Sequence, residues 1–109
     1  MKLYLLYQDD NRGYETYDSA VVAAEDENAA RSIHPRGYRD IRADLERDCW
    51  EELTWTDDTH QDKTWRRMNA TDVSHSGWAT CPSRVEVQHI GEAACGTAAG
   101  VICASYNAG

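Results

Sequence analysis

Apolar residues near both ends of this chain recur with a period of two, and that alternation constrains the fold more than any other feature. Leu3, Leu5 and Tyr7 alternate with Tyr4 and Leu6, as expected where successive side chains point to opposite faces of a sheet. Tyr17–Ala24, with Val21 and Val22 at its centre, reads as a second strand. Between them, Gln8-Asp9-Asp10-Asn11-Arg12-Gly13 is turn-forming and short enough to make the pair an antiparallel hairpin. Further on, Val85, Val87 and His89 alternate with Glu86, Gln88 and Ile90, opened by Pro82-Ser83 and closed by Gly91. Val101–Tyr106 is a fourth strand. Its run Val101-Ile102-Cys103-Ala104 predicts a central strand covered on both faces, paired with the third.

The interior of the chain is read differently. Asp26 suits an N-cap, Glu27 suits the positive end of a helix, and Ala29, Ala30 and Ile33 share a face. Glu27 and Arg31 stand four apart and can pair, while Pro35 and Gly37 stop the helix. At its end His34 is placed where the helix dipole favours a protonated imidazole. Ile41, Leu45, Cys49 and Leu53 recur every four residues, which predicts a second helix over Asp40–Leu53 with those residues and Trp50 turned to the core. Residues 56–77 show no sustained period and read as loops, with one short element around Trp65. A chain of 109 residues makes one domain spanning 1–109. The expected fold class is α+β, a small antiparallel four-stranded sheet with one or two helices packed on one face.

Charge is unevenly placed. Of the net −8, residues 1–39 carry −2, residues 40–62 carry −7 and residues 63–109 carry +1. Such a block repels phosphate, so direct nucleic-acid binding is not expected, whereas a basic protein surface is a natural partner. Equally, an acidic helix face can simply be solvated. The longest uncharged stretch, residues 93–109, is broken by Gly96 and Gly100 and carries Thr, Ser and Asn, so no membrane span is expected. Met1–Tyr7 meets Gln8-Asp9-Asp10 too early for a secretory h-region, and an intracellular setting is expected.

Motifs of catalysis are missing from the sequence. Gly91, Gly96 and Gly100 lack the Gly-Lys-Ser/Thr that cradles phosphates, and there is no G-x-S-x-G, H-E-x-x-H or C-x-x-C. Cys49, Cys81, Cys95 and Cys103 include no close pair of the kind zinc sites use, so buried, reduced, metal-free thiols are expected, and no cofactor. Four tryptophans and six tyrosines stand against no phenylalanine. Rings with a polar tip suit half-buried sites and interfaces. The candidate partner-binding residues are therefore Asp44, Glu51, Glu52, Trp55, Trp65 and Trp78. Under a small-ligand reading, Arg36, Arg39, Arg66 and Arg67 flank the aromatic middle and suit an anionic nucleotide.

Gly13–Ala24 (GYETYDSAVVAA), Ala30–Pro35 (ARSIHP), Ile90–Ala93 (IGEA) and Gly100–Gly109 (GVICASYNAG) together resemble a group of short accessory proteins encoded by tailed bacteriophages and prophages. The similarity covers under half of the chain and leaves out residues 36–80. It falls on strands, a helix end and turns, so it implies a shared fold more than a shared chemistry. It implies a setting too: the cytoplasm of an infected bacterial host, or the virion. Within that setting the readings are a non-enzymatic binder of a bacterial host protein, such as a counter-defence inhibitor; a protein that sequesters a nucleotide signal; a structural virion protein; and an enzyme.

Overall fold

The structure, a computed structural model, describes residues 1–37, 40–56 and 58–107. It is an α+β fold of mostly antiparallel strands and two short helices. Strands β1 (Lys2–Tyr7) and β2 (Thr16–Ala24) form the expected hairpin, in register from Lys2 opposite Ala24 to Tyr7 opposite Ser19. Gln8 organises the turn. Its side-chain oxygen accepts from the Asp10 and Asn11 amides at 2.8 and 2.7 Å, and its nitrogen donates to the Asn11 and Tyr17 carbonyls. A buried amide with every bonding site used costs the fold little.

After α1 (Glu27–Arg31) come β3 (Ile41–Asp44), β4 (Cys49–Trp55), β5 (Lys63–Arg67) and α2 (Ala70–His75). A single 3-10 turn at Pro82–Arg84 then leads to β6 (Glu86–Glu92) and β7 (Gly100–Asn107). Two sheets result, one in the order β6-β1-β2-β7 and one in the order β3-β4-β5. Tyr4, Leu6, Ala20, Val22 and Ala24 line the inner face of the first. Ala30, Ile33, Trp50, Met68, Val73, Trp78 and Val85 complete the core against them.

Asp26 caps α1 as expected, accepting from the Ala29 amide at 2.7 Å, and Glu27 meets Arg31 at 3.5 Å. The helix is shorter than the sequence suggests. Ser32 caps it, its hydroxyl donating to the Asn28 carbonyl, before Pro35 is reached.

Further expectations are corrected. β6 and β7 do not pair; they flank the β1–β2 hairpin on opposite edges. Residues 93–99 can cross the sheet, because seven residues reach about 23 Å and three strand spacings need only about 14 Å. Thus β7 is an edge strand and is exposed from Ile102 onward, not covered on both faces.

The segment Asp40–Leu53 is a β-hairpin, not a helix. A repeat of four is also a multiple of two, so Cys49 and Leu53 share a face in a strand as well. Leu45 falls in the turn and is 39% exposed, while Ile41 and Ala43 pack against the core and Leu53 is half-buried. Asp44 fixes that turn by accepting from the Arg47 amide at 3.1 Å, and Asp48 takes a left-handed φ of 54°. In residues 56–77 the short element expected around Trp65 is β5, whereas α2, in a stretch read as loop, was not expected.

His34 is corrected as well. It is fully buried, and burial, with the nearby Arg36 charge, lowers its pKa to about 3. Its Nδ1 accepts from the Arg36 amide, so its Nε2 carries the proton and donates to Ser76 Oγ at 3.1 Å. The ring is neutral and ties the segment after α1 to the cap of α2. Of the thiols, Cys49 is buried and Cys81 partly so, but Cys95 and Cys103 are exposed, against the expectation of burial; all four are free.

Candidate functional site

The three-stranded sheet places the predicted residues by simple alternation. Arg42 lies opposite Glu51 and Asp44 opposite Cys49, while Glu51 faces Arg67, Leu53 faces Trp65 and Trp55 faces Lys63. Residues directly opposite each other share a face, and every second residue along a strand returns to it. Arg42, Asp44, Glu51, Leu53, Trp55, Lys63, Trp65 and Arg67 therefore all sit on one face. Trp50 points the other way into the core, where its Nε1 donates to the Ala79 carbonyl at 2.8 Å.

On this outer face the aromatic rings are paired with cations. The Arg42 guanidinium stands 4.2 Å from the Trp65 ring centre, and Lys63 Nζ stands 4.6 Å from that of Trp55. Arg42 also donates to Glu51 at 3.0 Å, so it is held on two sides. Trp55 is 44% exposed and has His60 against its ring, with centroids 5.3 Å apart. The loop under it is closed by Thr56, whose amide and hydroxyl both donate to the Asp62 carbonyl at 2.9 Å. Cation–aromatic contacts of this kind contribute about 0.5–1 kcal/mol at exposed positions, enough to hold the rings in place.

Next to this face a groove of about 560 Å³ runs between Cys49, Arg67, Asn69, Val73 and Cys81. Arg67 belongs to both. Burial raises the pKa of the Cys49 thiol, which disfavours the thiolate that nucleophilic chemistry needs. Below the groove, Asp48 accepts from the Ser83 amide at 2.8 Å and from its hydroxyl at 2.5 Å. Asp10 does the same for Thr80, at 2.7 and 2.6 Å. These bonds from Ser83 and Thr80 hold both carboxyls below the usual carboxylate range. Both carboxylates thereby clamp residues 80–84.

The predicted residues thus divide. Glu51, Trp55, Trp65 and Arg67 come together on the outer face, with Asp44 at its end. Glu52 and Arg66 are paired across the opposite face, and Glu52 lines a smaller groove with Arg36, Asp72 and His75. Trp78 is fully buried and is a core residue, not a binding one. Arg36 donates to the His75 carbonyl at 2.7 Å. Arg39 lies outside the described residues. Arg67 lies on the outer face, whereas Arg66 lies on the opposite one, across from the Glu52 that shares a groove with Arg36.

The acidic block does not form one face either. Its members are spread over the 45–48 turn, both faces of the sheet and the 58–62 loop, and Glu51 is matched by Arg42 and Arg67. The sequence reading missed Arg42 and Lys63. Reading 41–67 as a three-stranded meander would have placed both, since each lies directly across from a predicted residue.

His34 and Ser76 are no nucleophile–base pair. The Ser76 hydroxyl proton goes to the Val73 carbonyl at 2.7 Å, and His34 presents a donor to the oxygen, not a lone pair. Among the described residues no three His, Cys, Asp or Glu side chains are grouped so as to hold a metal ion, and no helix is long and apolar enough to cross a membrane. Comparison with protein-family models, with curated proteins and with solved structures finds no match.

Proposed function

We propose that this protein is a non-enzymatic binding module that docks on another protein through the outer face of the β3-β4-β5 sheet. The observation that carries this reading is the pair Trp55 and Trp65 on one open sheet face, each ring held under a cation. Aromatic side chains fixed in position lose little entropy on binding, and tryptophan and arginine dominate interface energies. Leu53 between them supplies an apolar centre, and Arg42, Glu51, Lys63 and Arg67 supply a charged rim. Asp44 and Glu51 are both partnered on this side, so aromatic contact outweighs acidic steering.

In the setting that the resemblance to phage accessory proteins implies, the partner is a protein of the bacterial host, and occupying it serves as counter-defence. The placement of Arg66 and Arg67 on opposite faces of the sheet speaks for this reading over nucleotide sequestration. The test compares the protein with its Trp55→Ala/Trp65→Ala variant in capture from infected-cell lysate, with circular dichroism as the check on folding. A host protein retained by the parent and lost by the folded variant supports the proposal. Identical retention by both overturns it.

A further inference from the structure

The four-stranded sheet ends in two unlike edges. β6 carries Glu86, His89 and Glu92, and its ladder with β1 is interrupted by a register shift at Leu3/Tyr4. Charges and bulges of this kind are how natural sheets block unwanted pairing at an edge. β7 has neither charge nor proline from Gly100 to Asn107. Its one extra residue, Ile102, falls between Val101 and Cys103. A second register shift, between Tyr17 and Ser19, puts its extra residue, Asp18, on β2, so from Cys103 to Asn107 β7 itself carries no insertion; the strand is exposed from Ile102 onward, with Ile102 52% and Tyr106 49% exposed. Such an edge directs alternate N–H and C=O groups away from its own sheet.

The charge map selects the occupant. Residues 1–62 carry −9 of the chain's net −8, and residues 93–109 carry no charge at all. Two copies meeting across most surfaces set acid against acid; across β7 they do not. We propose that β7 pairs antiparallel with β7 of a second copy about a two-fold axis. The product is a continuous eight-stranded sheet, β6-β1-β2-β7-β7-β2-β1-β6, closed by its own symmetry. This contact is separate from the outer face of β3-β4-β5 and leaves it open on both copies.

Sedimentation equilibrium on the full chain tests the proposal, with Ile102→Lys and Ala104→Lys as edge-charging variants and Gln88→Lys on β6 as the control. The expected result is a species of twice the 12.3 kDa chain mass for the parent and for Gln88→Lys. Each β7 variant should raise the dissociation constant at least about tenfold, with unchanged circular dichroism. Amide exchange in Cys103–Asn107 should slow as protein concentration rises, a readout that needs no variant. A 12.3 kDa species persisting up to about 100 µM overturns the proposal, and would leave β7 free for a strand of a different protein. A dimer broken by Gln88→Lys, or untouched by both β7 variants, also overturns it.

Discussion

Acidification should destabilise this protein by protonating His34. In the folded chain burial holds its pKa to about 3, whereas the unfolded side chain titrates near about 6.5. The folded state resists the proton, so the unfolded state binds more of it throughout that interval. Stability from this residue is therefore complete above about pH 6.5, declines as pH falls, and levels off below about pH 3. Each pKa unit corresponds to about 1.4 kcal/mol, so two units of descent to about pH 4.5 remove about 3 kcal/mol. Against a total stability of about 5–15 kcal/mol for a domain of this size, that is a large loss.

The assay is urea unfolding followed by tryptophan emission from about pH 8 to about pH 4.5, for the parent and His34→Gln. The variant should be less stable at neutral pH, because the bonds to Ser76 and the Arg36 amide are disturbed. Its stability should fall by about 3 kcal/mol less than the parent's over the same range. Parallel pH profiles for the two proteins would refute the argument.

Three other outcomes follow from the packing. Gly77→Ala should cost roughly 1–3 kcal/mol in the same unfolding assay, since the residue has φ +77° and an added Cβ would lie 2.5 Å from the Glu15 carbonyl oxygen. Leu45→Ala should change stability by about 0.5 kcal/mol or less, because Leu45 is in an exposed turn, whereas Trp78→Ala should cost about 3–5 kcal/mol by opening the core. Asp10 and Asp48, held low by Thr80 and Ser83, contribute stability above the ordinary carboxylate pKa that is lost as pH falls through their lowered values. Asp48→Asn should accordingly flatten thermal stability below about pH 4 and leave the His34 interval above it unchanged.

Alternation was legible where one side of a strand is buried and the other is not. Tyr4 and Leu6 against Leu3 and Leu5, and Ala20 and Val22 against Ser19 and Val21, carry the β1–β2 register plainly. Which strand lies beside which was not legible, since β6 and β7 each satisfy the same alternation on either edge of the hairpin. The β3–β4 hairpin was hidden because Arg42, Ala43, Leu45, Glu46 and Arg47 favour helices locally. Burial of Trp50 and the ladder to Lys63–Arg67 override that preference. The binding face was half legible. Trp55, Trp65, Glu51 and Arg67 were named from composition, but a helical spacing cannot show that Arg42 and Lys63 stand beside them. His34 was misjudged for a similar reason: its local helix end was visible, while Ser76 and the ring of Trp50, 5.1 Å away, come from distant sequence.

The strand order sets a timetable for folding. The β3-β4-β5 meander closes through loops of a few residues and can form as soon as residues 41–67 have left the ribosome. The first sheet cannot do the same. β1 and β2 make their hairpin early, but β6 and β7 dock on them across roughly eighty intervening residues, where loop closure costs entropy before any contact repays it. Until residue 107 is available, the hairpin has two unpaired edges and its apolar inner face lacks Val85. Synthesis of this chain thus passes through an aggregation-prone interval that lasts until β7 is available, and a ribosome stalled after β6 would display a half-built sheet to whatever strand is nearby.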